Sequence, residues 1–272
     1  MEIDSVLNEP NKSSQRIPEI DFFRGLCILL MFVDHFMLFT IKFDAFHWSQ
    51  SNTTFLSTIV SISQYFHSGP GYMFRMIFRS IILCLFFGIS GICCTFSKNN
   101  LKRAIRLAIV AVSITSSMYL LSLATGHNLN IYFGIFHCYA SCILIYWMLN
   151  KTHHRMFLFF AIVLIISSIL IGILQPKLQT SNILFPLGIP SVNYPSTVDY
   201  SPIFPSIGVF LIGAIIGKTI HKNKISASTD YPKFKSNPLI FIGKHGVAFY
   251  IIHIPVLAFI VWILGVIAFG KP

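Results

Sequence analysis

Long apolar runs, each of about 20 residues, limit the folds open to this chain more than any other feature. A hydrocarbon core about 30 Å thick is crossed by about 20 helical residues, and a helix satisfies its own backbone hydrogen bonds inside lipid. The expected spans are Phe22–Ile41, Met76–Phe96, Ala104–Thr125, Ile131–Asn150, Met156–Leu174, Ile203–Ile220 and Val247–Phe269. The sequence therefore predicts an all-α integral membrane protein, a bundle of about seven transmembrane helices.

The segments outside these runs complete the expected organisation. Thr53–Phe66 is rich in Ser and Thr and too short to cross a bilayer, so it predicts one short interfacial or re-entrant helix. Residues 175–202 are rich in Pro, Ser and Asn, which favours a structured loop. Residues 1–20 are polar and lack the basic-then-apolar order of a cleavable signal. We therefore expect a cytoplasmic tail over residues 1–20 and a single polytopic domain over residues 21–272.

Composition and charge support a membrane protein and give it an orientation. Hydrophobic residues make up 54% of the chain and charged residues only 11%, against about 25% charged residues in a soluble domain. All but five of the 20 Lys and Arg residues lie on the side of the N-terminus. The exceptions are Lys42, Arg75, Arg79, Lys177 and Lys271. The positive-inside rule then places the N-terminus in the cytoplasm and the C-terminus outside.

The net charge of +11 is explained by this topology and by contact with anionic lipid, so the bilayer is the expected partner and nucleic acid is not. All six cysteines lie inside apolar spans without metal-ligand spacing. We expect them to pack as small apolar residues, with no structural disulfide and no metal site.

One pair of polar residues, Asp34 and His35, lies deep inside the first predicted span. At about 1.5 Å per residue, His35 is roughly 20 Å from Asp21 at the foot of that helix. Ionisable groups at such depth are costly and mark functional sites by default. The pair therefore predicts a functional site, with a hydrated interhelical hydrogen-bond network as the alternative.

Further polar residues enter the spans at other places. His137 lies about six residues from the outer end of the fourth span, a depth similar to that of His35. Asp199 precedes the sixth span and is either part of the site or the N-cap of that helix. Arg75 and Arg79 enter the second span from outside and can extend to lipid headgroups. His253 lies near the cytoplasmic end of the last span, so we expect it in the opposite half, as an interhelical hydrogen-bond partner.

Five stretches, taken in order, resemble a known family. They are R-I-P-E-I-D-F-F-R-G-L-C-I-L-L-M, F-F-G-I-S-G-I-C-C-T-F-S, F-G-I-F-H-C, D-Y-S-P-I-F-P-S-I-G-V-F-L-I-G and P-L-I-F-I-G-K-H-G-V-A-F-Y-I-I-H-I-P-V-L. Together they are similar to the catalytic domain of the heparan-α-glucosaminide N-acetyltransferase family, in its short prokaryotic form. The resemblance implies a membrane acyltransferase that takes an acetyl group from cytoplasmic acetyl-CoA. The acceptor is an amine or hydroxyl of a sugar or glycan on the far side.

Under this resemblance the polar residues acquire catalytic roles. A neutral His35 removes a proton from the acceptor, and Asp34 or Asp199 orients the imidazole ring. His137 polarises the thioester carbonyl.

The family's own catalytic histidine lies in the loop after the first helix, near a Trp. This makes His47, followed here by Trp48, the second candidate for the base. The choice between His35 and His47 stays open.

Coenzyme A carries phosphates, which require a basic cytoplasmic mouth. The candidates are Arg16, Arg24, Lys98, Lys102, Arg103 and Arg106. Two other classes stay open: a small-solute transporter, whose intramembrane charges line a pathway, and a haem-binding membrane protein with paired histidine ligands. Assembly as a homodimer is also left open.

Overall fold

Helices make up nearly all of the described chain in the computed structural model, which covers residues 17–42, 54–126, 128–174, 182–189, 197–220 and 237–269. They are α1 Pro18–Lys42, α2 Thr54–His67, α3 Tyr72–Phe96, α4 Asn100–Thr125, α5 Ile135–Asn150, α6 His154–Leu174, α7 Ile203–Ile220, α8 Pro238–Lys244 and α9 Gly246–Phe269, with a 3-10 helix at Asn182–Leu187. No β-strand occurs within those ranges. The predicted all-α fold is confirmed.

Four of these helices, α1, α3, α4 and α9, are long and apolar enough to cross a membrane. Three others, α5, α6 and α7, are also apolar, but their apolar stretches are only 10–17 residues long. Each expected span coincides with one of these seven helices, and α2 coincides with the expected short helix. The chain is therefore a helical membrane protein. The number of spans and the orientation stay predictions.

The chain divides into two compact units. The first comprises Met1–Ile82 and Asn223–Pro272, and the second comprises Leu83–Lys222. Helix α3 contributes its first part to the first unit and the remainder to the second. Each unit is described by itself below.

A short helix that was not expected, α8, packs against the foot of α1 in the first unit. It begins with Asn237, whose side chain accepts a hydrogen bond from the Leu239 amide over 2.9 Å, followed by Pro238 in the first turn. A Cβ on Gly25 would collide with the Leu239 carbonyl, and one on Gly243 with the Asp21 carbonyl. The backbones of α1 and α8 are therefore in direct contact, as small residues allow between membrane helices.

Beyond α8 the chain turns, and α9 runs beside α1. Gly246, the first residue of α9, lies against Ile28, whose Cδ1 atom is 3.1 Å from an ideal Cβ position on the glycine. Further along, Val261 of α9 packs with Leu56 and Val60 of α2. The α1–α2 contact also includes a buried hydrogen bond from Thr40 Oγ1 to Ser63 Oγ at 2.7 Å. Helices α1, α2 and α9 therefore form one packed group.

In the second unit, α3 and α7 cross closely. A Cβ on Gly91 would meet the Phe210 carbonyl, and one on Gly213 would meet the Gly88 carbonyl. Only glycine allows this approach of the two backbones.

The segment before α7 folds back beside the segment before α5. The Val198 amide donates to the Asn130 carbonyl over 3.1 Å, and the Ser201 amide donates to the Phe133 carbonyl over 3.1 Å. Tyr200 stacks on Phe185 with ring centroids 4.2 Å apart. These contacts bring Asp199 to the start of α5.

Candidate active site

A buried ion pair joins α1 to α3 in the first unit. Arg75 Nε donates to Asp34 Oδ1 over 2.6 Å, and Arg75 Nη2 donates to Asp34 Oδ2 over 3.1 Å. The two side chains are only 10% and 16% exposed. Of the two arginines that could reach lipid headgroups, Arg75 turns inward to this carboxylate, whereas Arg79 is exposed. The guanidinium neutralises the acidic group that makes α1 costly in a membrane.

The His35 ring is held by its own helix. Nδ1 lies 2.9 Å from the Met31 carbonyl oxygen. A carbonyl oxygen only accepts, so in the neutral ring Nδ1 carries the proton and Nε2 presents a lone pair. The partner observed for Asp34 is Arg75, not the ring that it was expected to orient. His35 is therefore set up as a proton acceptor.

A second imidazole, that of His253 on α9, contacts the first. The ring centroids of His35 and His253 are 5.0 Å apart, with the planes at 75°. His253 is 4% exposed. Its Nδ1 donates to the Tyr250 carbonyl, and its buried Nε2 has no hydrogen-bond partner among the described residues.

The expectation that His253 lies in the opposite half from His35 is wrong. The expectation counts residues from the start of the last apolar run and assumes that this start is level with the foot of α1. In the structure, α8 lies beside the foot of α1 instead. Helix α9 consequently begins beside Ile28, already inside α1. Each histidine then lies about two helical turns further along its own helix.

His67, in the last turn of α2, adds a third imidazole to this region. Its Nδ1 lies 3.2 Å from the Ser63 carbonyl, and its buried Nε2 has no hydrogen-bond partner within the described ranges. Burial and then the Arg75 guanidinium lower the pKa of His67.

In the second unit, Asp199 caps α5. Its Oδ2 atom accepts a hydrogen bond from the Ile135 amide over 2.9 Å. The carboxylate thus satisfies one of the free N–H groups in the first turn and meets the positive end of the helix dipole. The alternative that Asp199 is a helix cap holds, but it caps the helix of the fourth predicted span and not the sixth.

His137 lies in the same first turn of α5, and its hydrogen bonds run in the opposite sense to those of His35. The Gly134 amide donates to His137 Nδ1 over 3.3 Å, so Nδ1 is the acceptor and Nε2 carries the proton. Nε2 lies 3.5 Å from Thr115 Oγ1, at the limit of hydrogen bonding. His137 is therefore set up as a hydrogen-bond donor.

The basic residues proposed for coenzyme A differ in their surroundings. In the second unit Lys98, Lys102 and Arg106 are exposed near the start of α4, whereas Arg103 turns inward with Nη1 3.5 Å from Cys94 Sγ. In the first unit Arg24 donates to Asp21 Oδ1 over 3.2 Å and to the Gly243 carbonyl over 3.3 Å. Arg103 and Arg24 therefore each contact groups within their own unit.

Two residues of the sequence-based set, Arg16 and His47, lie outside the described residues. Where the chain is described, no group of three or more His, Cys, Asp or Glu side chains is arranged to hold a metal ion.

A comparison with family models assigns the class of protein. The model described as heparan-alpha-glucosaminide N-acetyltransferase, catalytic, matches residues 61–255, more than half of the chain. This is the class of membrane acetyltransferases. The chain belongs to the heparan-alpha-glucosaminide N-acetyltransferase catalytic-domain family. No curated protein and no solved structure matches it.

The matched range includes His67, Arg75, His137 and His253, but Asp34 and His35 precede it. Sequence reasoning chose His35 and missed two residues that contact its region, Arg75 as the partner of Asp34 and His253 as the partner of the ring. The signal that could have located His253 is the start and stop pattern of α8, an Asn-Pro pair followed by G-K-H-G.

Proposed function

We propose that this protein transfers an acetyl group from cytoplasmic acetyl-CoA to an amine or hydroxyl of a sugar or glycan on the far side of the membrane. Family membership supports acetyl transfer in general. The observation that carries the proposal is the His35 ring in its apolar helix, with Nδ1 bonded to Met31 and Nε2 left as an acceptor.

His35 is the proposed base. Its Nε2 takes the proton of the acceptor as the amine nitrogen or hydroxyl oxygen attacks the thioester carbon. The acyl–sulfur bond then breaks, and the proton ends on the sulfur of coenzyme A. The Asp34–Arg75 pair keeps the surroundings of the base close to neutral, because each charge is matched by the other. His47 remains the alternative base.

From the sequence-based prediction, His137 stays the candidate donor to the thioester carbonyl oxygen, and its chemistry is described within the second unit alone. Its Nε2–H stabilises the negative charge that develops on this oxygen during attack. Asp199 positions His137 indirectly, because it holds the first turn of α5 through the Ile135 amide.

For coenzyme A we propose the exposed residues Lys98, Lys102 and Arg106, which supply positive charge for its phosphates. Arg16 and Arg24 remain candidates from the sequence. Replacing Lys102 and Arg106 together by Ala should raise KM for acetyl-CoA and leave KM for the acceptor unchanged. The matched control removes two other exposed cations, Lys151 and Arg155. An equal rise in the control would mean that only overall charge matters.

The activity itself is tested with purified protein in liposomes. The reaction contains radiolabelled acetyl-CoA and either glucosamine or cell-envelope glycans. We expect release of coenzyme A and a labelled sugar, both dependent on His35. Folded protein that labels neither acceptor and releases no coenzyme A would overturn the proposal.

The other classes receive no support from the described contacts. Haem ligation by His35 and His253 requires the macrocycle between the two rings, and rings with centroids 5.0 Å apart in edge contact leave no room for it. Haem ligation by His35 and His137, the pair expected at similar depth from the sequence, stays an untested alternative. No observation favours a transporter or a homodimer, and neither is proposed.

A further inference from the structure

The proposed function leaves the side chain of His253 without a role. This imidazole is 4% exposed, and its Nε2 has no hydrogen-bond partner in the described part of the chain. A buried polar atom without a partner is costly, and each such atom in a native protein calls for an explanation. The ring of His35 is in contact with this imidazole.

The backbone fixes both rings in the same way. His35 Nδ1 is bonded to the Met31 carbonyl, and His253 Nδ1 is bonded to the Tyr250 carbonyl. Each neutral ring therefore has one nitrogen left, and in both rings it is an acceptor. Two acceptors cannot bond to each other. One additional proton changes this, because the ring that takes it becomes a donor and the other ring can accept from it.

We propose that His253 is a positioning residue that accepts a hydrogen bond from His35 when His35 has taken the proton of the acceptor substrate. This inference rests on the proposed function, in which His35 is the base. The proton leaves the amine or hydroxyl and binds His35 Nε2, where the bond to His253 Nε2 stabilises the imidazolium. It then passes to the sulfur of coenzyme A, so the two histidines end the cycle neutral.

The other titratable and charged groups near the two rings do not replace His253 in this role. On α1 and α3, Asp34 and Arg75 are bonded to each other. On α2, His67 also has a buried Nε2 without a hydrogen-bond partner, but among the described residues it has no ring contact with His35, whereas His253 does.

On α9 itself, Tyr250 contacts His253 with ring centroids 5.0 Å apart and provides the carbonyl that holds Nδ1. A proton on His35 therefore finds its nearest neutral acceptor ring in His253.

The competing explanation is that His253 only fills space between α1 and α9. The two roles predict opposite orders for two substitutions. His253→Leu introduces an apolar side chain of comparable size, so a space-filling role predicts that Leu is tolerated and that Gln is harmful. His253→Gln keeps an amide oxygen that can accept, so the proposed role predicts that Gln retains more activity than Leu.

The test uses full-length protein in liposomes, with acetyl-CoA and glucosamine as the probe. We expect His253→Leu to lower kcat about tenfold to a hundredfold, with KM for acetyl-CoA unchanged, and His253→Gln to stay closer to wild type. The acidic limb of the pH–rate profile should move to lower pH in His253→Leu only, because the protonated base loses its acceptor. The matched control is His245→Leu, since His245 Nδ1 also lies near a backbone carbonyl, that of Phe241 at 3.0 Å, but the residue is exposed.

A double substitution tests whether His253 acts through His35. His35→Ala with His253→Leu should be no slower than His35→Ala alone, because the acceptor is useless without the base. Additive losses, or a His253→Leu variant at the wild-type rate, would overturn the inference.

A readout without activity separates this inference from the proposed function. With ¹⁵N-labelled histidine in mildly acidic buffer, NMR should detect coupling between the rings across a shared N–H···N bond, and His253→Leu should abolish it. Coupling together with an active His35→Ala variant would retain the pairing and reject His35 as the base. An inactive His35→Ala variant without coupling in the wild type would support His35 as the base and reject its pairing with His253.

Discussion

His35 and His137 are both imidazoles in apolar helices, yet their hydrogen bonds give them opposite properties. His35 donates from Nδ1 to the Met31 carbonyl and leaves Nε2 free to accept a proton. His137 accepts at Nδ1 from the Gly134 amide and leaves a proton on Nε2. The first ring is suited to act as a base and the second as a donor.

The difference follows from the position of each residue in its helix. The interior of a helix offers a side chain only the carbonyl of the preceding turn, because the amides are already bonded. The first turn offers amides that have no partner within the helix. His35 lies in the interior of α1, and His137 is the third residue of α5. For these two histidines, the position in the helix therefore explains the difference in tautomer.

The largest expected effect tests the base. His35→Ala and His35→Gln should each lower kcat by about 10²–10⁴-fold, because neither replacement takes up a proton near neutral pH. The measurement is the initial rate with labelled acetyl-CoA at saturating substrate. Melting temperature serves as the control. Loss of the ring leaves at most one neighbouring polar group unpaired, which lowers the free energy of unfolding by about 1–3 kcal/mol.

His47→Ala is the companion variant for this test. If His35→Gln worked at the wild-type rate while His47→Ala was inactive, His47 would be the base. His35 would then have no role as the base, and only the donor role of His137 would remain to be tested.

The next effect concerns the donor. His137→Leu should lower kcat by about 10²–10³-fold, the usual loss when one donor to a developing oxyanion is removed. His137→Gln should lose less, because the amide of Gln still donates. Gln should therefore fail at position 35 and partly succeed at position 137. A Gln variant as slow as Leu at position 137 would contradict the donor role.

The acidic residues of the two regions differ in the same way. Asp34→Asn leaves the buried Arg75 cation without its counter-charge, so the free energy of unfolding should fall by about 3 kcal/mol. Replacing both residues by Leu should recover much of this loss, because the charge is then absent. Denaturant titration in detergent measures both variants. The control is Arg79→Leu, at an exposed site on α3, the helix that also holds Arg75. The expected change in the free energy of unfolding is within about 0.5 kcal/mol.

The sequence predicted the helices well and the contacts between them less well. The apolar runs were sufficient to locate the seven long helices, because a length of about 20 residues is a direct requirement of the bilayer. Helix α8 is only seven residues long, too short to produce such a run.

The contacts of the site depend on residues far apart in the chain. Asp34 and Arg75 are 41 residues apart, and no local pattern identifies Arg75 as the partner of Asp34. The depth of His253 could not be read without α8, because that helix shifts the start of α9 along α1.

A smaller effect is expected at Asp199 in the second unit. Asp199→Ala removes the acceptor for the Ile135 amide, so the free energy of unfolding should fall by about 1 kcal/mol, as for other helix caps. Asp199→Asn keeps an acceptor and should cost less. A loss at Asp199 as large as that at Asp34 would contradict the role of Asp199 as a helix cap.

The smallest expected effect is a pH dependence at His67, which has the same hydrogen-bond arrangement as His35 but lies in α2, outside the candidate spans. Burial and the Arg75 guanidinium lower its pKa from the ordinary value of 6.5. Between the folded and unfolded pKa values the unfolded chain binds more protons, so stability falls as the pH drops below about 6.5. His67→Gln cannot titrate and should remove this part of the slope. Melting temperatures at pH 7.5 and pH 5.5 measure it, and the difference between wild type and variant cancels contributions from the other histidines. An identical pH slope in both proteins would mean that His67 is as easily protonated in the folded chain as in the unfolded one.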